Sequence, residues 1–207
     1  MKKWFLASLM VFALSACEEE HGLDNDFLVF TNYDSEADFA GHETFFIPDS
    51  ILIAGHSEEP QYAKGASAGE IIETYVDKME AMGYIRVDKK EEADLGIQLT
   101  LIDDTRHFVG YTASSYWWWG FPGYWPPYYW GDWGYWHYSF PVHYSYSVGS
   151  LLTDMVDLKA KQGKEEKLPV IWNACISGLL SGSKHIDTVL AIRGINQSFQ
   201  QAGYLKK

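Results

Sequence analysis

The sequence predicts an α+β domain: a two-layer sandwich in which a mostly antiparallel sheet carries two helices on one face. A long aromatic-rich loop is inserted between two of the strands. Three observations carry this reading. Segments that alternate apolar and polar residues outnumber those with helical spacing. Most neighbouring strands are joined by connections that allow hairpins. Residues 111–146 then break the pattern, with seven of the nine Trp residues, Asp132 as the one carboxylate, and no Lys or Arg.

The elements follow in order. Phe27 to Tyr33 alternates as a strand, with Phe27, Val29, Thr31 and Tyr33 on one side. Asp34 to Asp38 turns the chain. Thr44 to Ile47 is a second strand, stopped by Pro48. Ile51-Leu52-Ile53 continues the sheet or lines a loop. The first helix starts at Ser67, where Ser67-Ala68-Gly69-Glu70 fits a capping box. Its apolar stripe is Ile71, Ile72, Tyr75, Val76, Met79 and Met82, and Gly83 closes it as a left-handed cap.

Tyr84 to Val87 is a short strand, and Asp88 to Glu92 a charged turn. The strand–helix–strand step around Ser67 admits one parallel pair. In Leu95 to Ile102, Ile97, Leu99 and Leu101 face one way and Gln98 and Thr100 the other, the pattern of a sheet covered on one face. After the aromatic stretch, Val148 to Leu158 returns as a strand. Lys159 to Lys167 is a solvated hairpin turn. Leu168 to Ser177 pairs back, with Trp172 on the side of Val170 and Ala174. A second helix runs from Lys184 to Ala202, weakened by Gly194.

The chain begins with an address. Lys2 and Lys3 precede an apolar run, Trp4 to Leu14, that is too short to span a membrane and reads as a secretory signal. Leu14-Ser15-Ala16-Cys17 resembles the bacterial lipobox. That resemblance implies cleavage after Ala16 and acylation of Cys17 by palmitate-type chains. Residues 1–16 are then the signal, 17–26 a lipidated tether and 27–205 a single domain containing the insertion at 111–146. Glu18-Glu19-Glu20 resembles surface-export signals, although a polar spacer has the same composition. The expected location is the outer membrane, on its periplasmic face or at the cell surface. The mature chain has 14 basic and 28 acidic residues, a charge of −14, which argues against nucleic acid as a partner. With Cys17 acylated, Cys175 has no disulfide partner and reads as a small buried hydrophobe.

The chain resembles the domain of unknown function 4136 family of bacterial envelope lipoproteins. The resemblance rests on Tyr33-Asp34, Ala37-Asp38-Phe39, Thr44-Phe45, Gly83-Tyr84 and Ala93-Asp94-Leu95. It continues through Gly149-Ser150-Leu151, Asp154, Asp157 and Val170-Ile171-Trp172. It implies a lipoprotein with no assigned activity, so no catalytic residue is carried over. The insertion is richer in Trp, and the turn at Lys159 longer, than the family pattern.

Searching for chemistry yields little. Gly65-Ala66-Ser67-Ala68-Gly69 matches G-x-S-x-G, but Pro60-Gln61-Tyr62-Ala63-Lys64 before it is no core strand, so a Ser hydrolase is a distant alternative. Gly178 to Lys184 has the wrong spacing for a phosphate loop. Asp154 and Asp157 lie three apart on a strand and point to opposite faces. His137 and His143 lack further ligands, and Asp24-Asn25-Asp26 lacks the rest of a calcium loop, so no metal or cofactor is expected.

Binding remains. The rings of Trp117, Trp118, Trp119, Trp125, Trp130, Trp133 and Trp136 either fold back against the sheet or form an exposed patch. A patch would touch the membrane or an envelope protein, since Trp and Tyr favour the headgroup zone. The alternative is stacking on surface glycan or peptidoglycan through faces such as Trp117, Trp119, Trp130 and Trp133, with Asp132 and His137 for the hydroxyls. The expectation is a lipid-anchored, non-catalytic binding or assembly module.

Overall fold

A computed structural model describes residues 27–54, 61–102, 136–138, 140, 148–160 and 168–207. Within them the strands are β1 (Leu28–Tyr33), β2 (Thr44–Phe46), β3 (Ile51–Ala54), β4 (Gln61–Ala63), β5 (Ile85–Arg86), β6 (Leu95–Ile102), β7 (Trp136–Tyr138), β8 (Ser150–Asp157) and β9 (Leu168–Ser177). The helices are α1 (Ala66–Ala81) and α2 (Lys184–Gln201). All the strands join one sheet, with the central order β1-β9-β8-β6-β2-β5. The α+β class read from the sequence is the one observed.

The long pairings, β1 with β9, β9 with β8 and β8 with β6, are antiparallel. Parallel pairing is more extensive than the one pair expected. It joins β2 to β5, β2 to β6, β3 to β6 and β7 to β9. Pro48 explains part of this, because it cannot donate to a ladder. The chain running beside β6 is broken there into β2, which meets Leu95 and Gly96, and β3, which meets Thr100 to Ile102.

Both helices pack on one face. Trp172 is fully buried at the centre of that layer. Its ring lies 5.6 Å from that of Phe199 on α2, and its Nε1 donates to the Tyr204 hydroxyl at 3.1 Å. Tyr75 on α1 meets Phe199 edge-on and shares a buried hydrogen bond with the Thr153 hydroxyl of β8. Ile72, Val76 and Met79 complete the expected α1 stripe, with Ile71 and Met82 at its margin. Each large side chain buried here contributes roughly 1.5–3 kcal/mol.

The helix ends show one expectation met and one corrected. Gly83 takes a positive φ of 101°, and the Gly83 and Tyr84 N–H groups donate back to Glu80 and Met79 carbonyls, closing α1 as a left-handed cap. The capping box at Ser67 does not form. The N-cap is Gly65, at φ 101°, and no side chain caps the helix. A left-handed N-cap position suits glycine, so the helix starts one residue before Ser67.

Two further corrections concern the sheet. Met155 faces Trp172, but Val156 faces Val170, so Ile171 is an extra residue and β9 carries a bulge. Val170 is therefore turned away from the side of Trp172 and Ala174. The face away from the helices is also buried across the central strands rather than open. Gln98, Asp154 and Asn173 stand in register there across β6, β8 and β9, each at most 1% exposed. Asn173 Nδ2 donates to Asp154 Oδ1 at 2.6 Å and to the Thr153 carbonyl at 3.0 Å. Polar side chains at alternate positions of β6 thus do not mark a wet face.

Gly194 also acquires a reason. A Cβ there would stand 2.5 Å from Ile176 Cγ2, so its absence lets α2 settle onto β9. Helix preference alone would make Gly194→Ala stabilising by about 1 kcal/mol. The packing predicts the opposite sign in denaturant unfolding, a loss of about 1–3 kcal/mol.

Candidate functional site

The sheet has two unlike ends. At one, Leu28 of β1 stands beside Ser177, Leu151 beside Ile176, and Ile102 beside Ser150. The aromatic insertion leaves the sheet at Ile102 and returns at Gly149, whose N–H donates to the Ile102 carbonyl at 2.8 Å. It is therefore inserted between paired antiparallel strands, as expected. The Leu179 N–H donates to the Gly149 carbonyl at 2.9 Å, tying the segment after β9 to the same place. Both helices begin here too.

A cavity of about 510 Å³ opens at this end. Pockets for small molecules run to about 300–1,000 Å³. Ile51, Ile53, Ile71, Leu101, Leu151 and Leu179 give it an apolar wall. Its polar groups are few: Lys64 before α1, Ser67 in the first turn of α1, and Lys184, Asp187 and Thr188 in the first turns of α2. The Thr188 hydroxyl donates to the Lys184 carbonyl at 2.8 Å, and Asp187 Oδ1 accepts the Ser181 N–H at 2.7 Å. Ser67 has no imidazole or Glu beside it among the described lining residues. Gln61-Tyr62-Ala63 forms β4, a short strand paired, among the described residues, only to β3. The core strand that a nucleophile elbow needs is therefore absent ahead of Ser67.

The other sequence candidates scatter. Asp154 and Asp157 do point to opposite faces, the first toward Asn173, the second toward His42. Cys175 is buried, and burial pushes its thiol up to about 12, far from a reactive thiolate. Trp136 and His137 begin β7, paired in parallel with Leu168 and Pro169. Trp117, Trp118, Trp119, Trp125, Trp130, Trp133, His143, Ala16 and Cys17 lie outside the described residues. The described residues contain no group of three or more His, Cys, Asp or Glu able to hold a metal.

The opposite end holds a polar latch that sequence spacing did not signal. His42 Nδ1 meets the Asp38 carbonyl at 2.8 Å, and Nε2 meets Asp157 Oδ1 at 3.1 Å. Lys159 bridges Asp94 Oδ1 at 3.1 Å and the Gly41 carbonyl at 3.2 Å, so it is not merely solvated. Asp94 Oδ2 accepts the Glu43 and Thr44 N–H groups. Although burial opposes its charge, those N–H groups and Lys159 hold its carboxyl below the usual range. The latch pins the start of β2 to the ends of β6 and β8. Asp38, Thr44, Asp94 and Asp157, all part of the family pattern, are in it. Tyr84 supports the same region by donating its hydroxyl to the Phe39 carbonyl at 3.2 Å. Most of that pattern thus marks positions that hold the fold.

The latch predicts a two-sided pH dependence. The Asp157 hydrogen bond outweighs burial and raises the His42 pKa. The stability it lends is whole below the usual imidazole range and lost as pH rises through the raised value. For Asp157, burial is outweighed by His42 and by the Lys159 and Ala160 N–H groups, so its pKa is lowered. Its contribution is present above the usual carboxylate range and lost as pH falls. The pair is fully formed between about pH 4 and 6.5. His42→Gln should cost roughly 1.5–3 kcal/mol inside that window and flatten the decline on its alkaline side, read by urea unfolding at a series of pH values.

Comparison with known proteins follows the same outline. The model of the family described as "Domain of unknown function (DUF4136)" matches residues 29–201. A crystal structure of a family member from Bacteroides thetaiotaomicron VPI-5482, at 1.60 Å, is 49% identical. The match covers 88% of this chain and 99% of that one, with a TM-score of 0.78. No curated protein matches. The chain belongs to the DUF4136 family.

Proposed function

We propose that this protein is a lipid-anchored lipoprotein of the cell envelope, held at the outer membrane through Cys17. It serves as a non-catalytic binding or assembly module whose Trp/Tyr-rich loop contacts the membrane or an envelope protein. The observation that carries the reading is the clustering at one end of the sheet. Leu28, where the domain follows the tether, lies at the end from which the insertion departs at Ile102 and returns at Gly149. Phe27 is ten positions beyond Cys17, a reach of at most about 36 Å. A lipid at Cys17 would therefore keep the foot of the insertion near the bilayer. Leu180, 62% exposed beside Gly149, adds an apolar side chain to that end. The charge of the chain does not favour anionic lipid, so contact falls to the uncharged rings. The thin polar lining of the cavity, with no imidazole among its described residues, supports binding over turnover.

Two measurements test this. Mass spectrometry of the protein extracted from cells should find an acylated Cys17 at the mature start. The mature chain with Cys17→Ser in place of the lipid should sediment with phosphatidylethanolamine vesicles and not with purified sacculi. Replacing Trp117, Trp118 and Trp119 with Ala should weaken this by about tenfold or more. Retention on sacculi alone would favour the glycan reading, and an unmodified thiol at Cys17 would defeat the anchor.

A further inference from the structure

The interior of a domain is close-packed, with few voids larger than a water molecule. An apolar cavity of about 510 Å³ open to solvent is a departure from that rule. It exists because the two layers do not close where the helices begin. Ile51, Ile53, Leu101 and Leu151 from the sheet face Ile71 and Leu179 across it. Water in contact with these walls is unfavourable, so an apolar occupant of this size would be stabilised there.

The described part of the rim has the opposite sign to the chain. Overall the protein carries a formal charge of −12. Among its described lining residues the cavity has two cations, Lys64 and Lys184, against one carboxylate, Asp187. Among the described residues neither lysine is in an ion pair, while Asp187 is engaged by the Ser181 N–H. The partial positive ends of α1 and α2 add to the same sign, since neither N-cap residue, Gly65 or Ser183, supplies a side-chain cap. A cationic rim over an apolar interior matches a molecule with an anionic head and an apolar tail.

We propose that this cavity binds a long-chain carboxylate, a fatty acid, with its tail against the isoleucine and leucine wall and its carboxylate met by Lys64 and Lys184. This site is separate from the docking role of the aromatic loop and does not depend on acylation of Cys17.

Calorimetric titration of the mature chain (Cys17→Ser) with dodecanoate, dodecanol and acetate tests it. Dodecanoate should bind, dodecanol about tenfold or more weaker, and acetate not at all. The pair Lys64→Gln and Lys184→Gln should bring dodecanoate down to the level of dodecanol. Ala191→Phe, filling the cavity from α2, should abolish both. Because Ala191 is buried, Leu180→Asp at the exposed rim provides a variant that keeps the fold, and it should weaken dodecanoate more than dodecanol. Equal binding of acid and alcohol, dodecanoate binding unchanged by the two lysine substitutions, or no binding of dodecanoate would overturn the proposal.

Discussion

The approach of α2 to β9 is the contact on which the rest of the structure depends. Gly194 lets the helix sit against Ile176, closer than any side chain at that position would allow. With that spacing set, Phe199 reaches Trp172 and Tyr75, and Tyr204 reaches the Trp172 indole N–H. Thr31 on β1 donates to Gln201 Oε1 at 3.1 Å, so the edge strand is held by the same helix. The core is one continuous cluster drawn from both helices and the central strands. A helix seated at its middle and C-terminal turns is also fixed at its start. The opening between the first turns and the sheet therefore follows from packing further along.

This arrangement divides the molecule by task. At one end, carboxylates and cations pair with each other and with backbone groups, and His42, Asp94, Asp157 and Lys159 each have internal polar partners. Groups so committed hold chain segments together and leave little to offer a ligand. At the other end the pattern is reversed. Among the described residues, Lys64, Lys184 and Leu180 project without comparable partners, around an apolar hollow at the foot of the aromatic insertion. The family pattern is concentrated in the committed groups and in the core.

Much of the fold was legible from local pattern. Alternation located β1 and β6, and the stripe ending at Gly83 located α1, because each signal lies within a single element. What could not be read depends on partners distant in sequence. The bulge at Ile171 reverses Val170, and only its register against β8 reveals it. Gln98 looked solvent-facing by alternation, yet it is buried in line with Asp154 and Asn173. Gly194 read as a weakness of α2 until Ile176 was placed beside it. Ser67 competed with Gly65 for the cap, and backbone conformation decided the matter. The cavity was invisible because its wall comes from widely separated segments, none with a motif of its own. For the insertion, the sequence supplied its position between two strands and its content of rings; the structure adds where it is rooted and that β7 within it pairs with the start of β9.

The central claim is that the end bearing the cavity and the insertion is the contacting end. Two residues allow a matched test, because Leu180 at that end and Ile85 at the latch end are 62% and 63% exposed. A photoreactive side chain placed at each position in turn, in the full protein in living cells, reports what each end touches. The account predicts lipid or protein adducts from position 180 and few from position 85. Equal yields from both positions, or adducts confined to position 85, would contradict it.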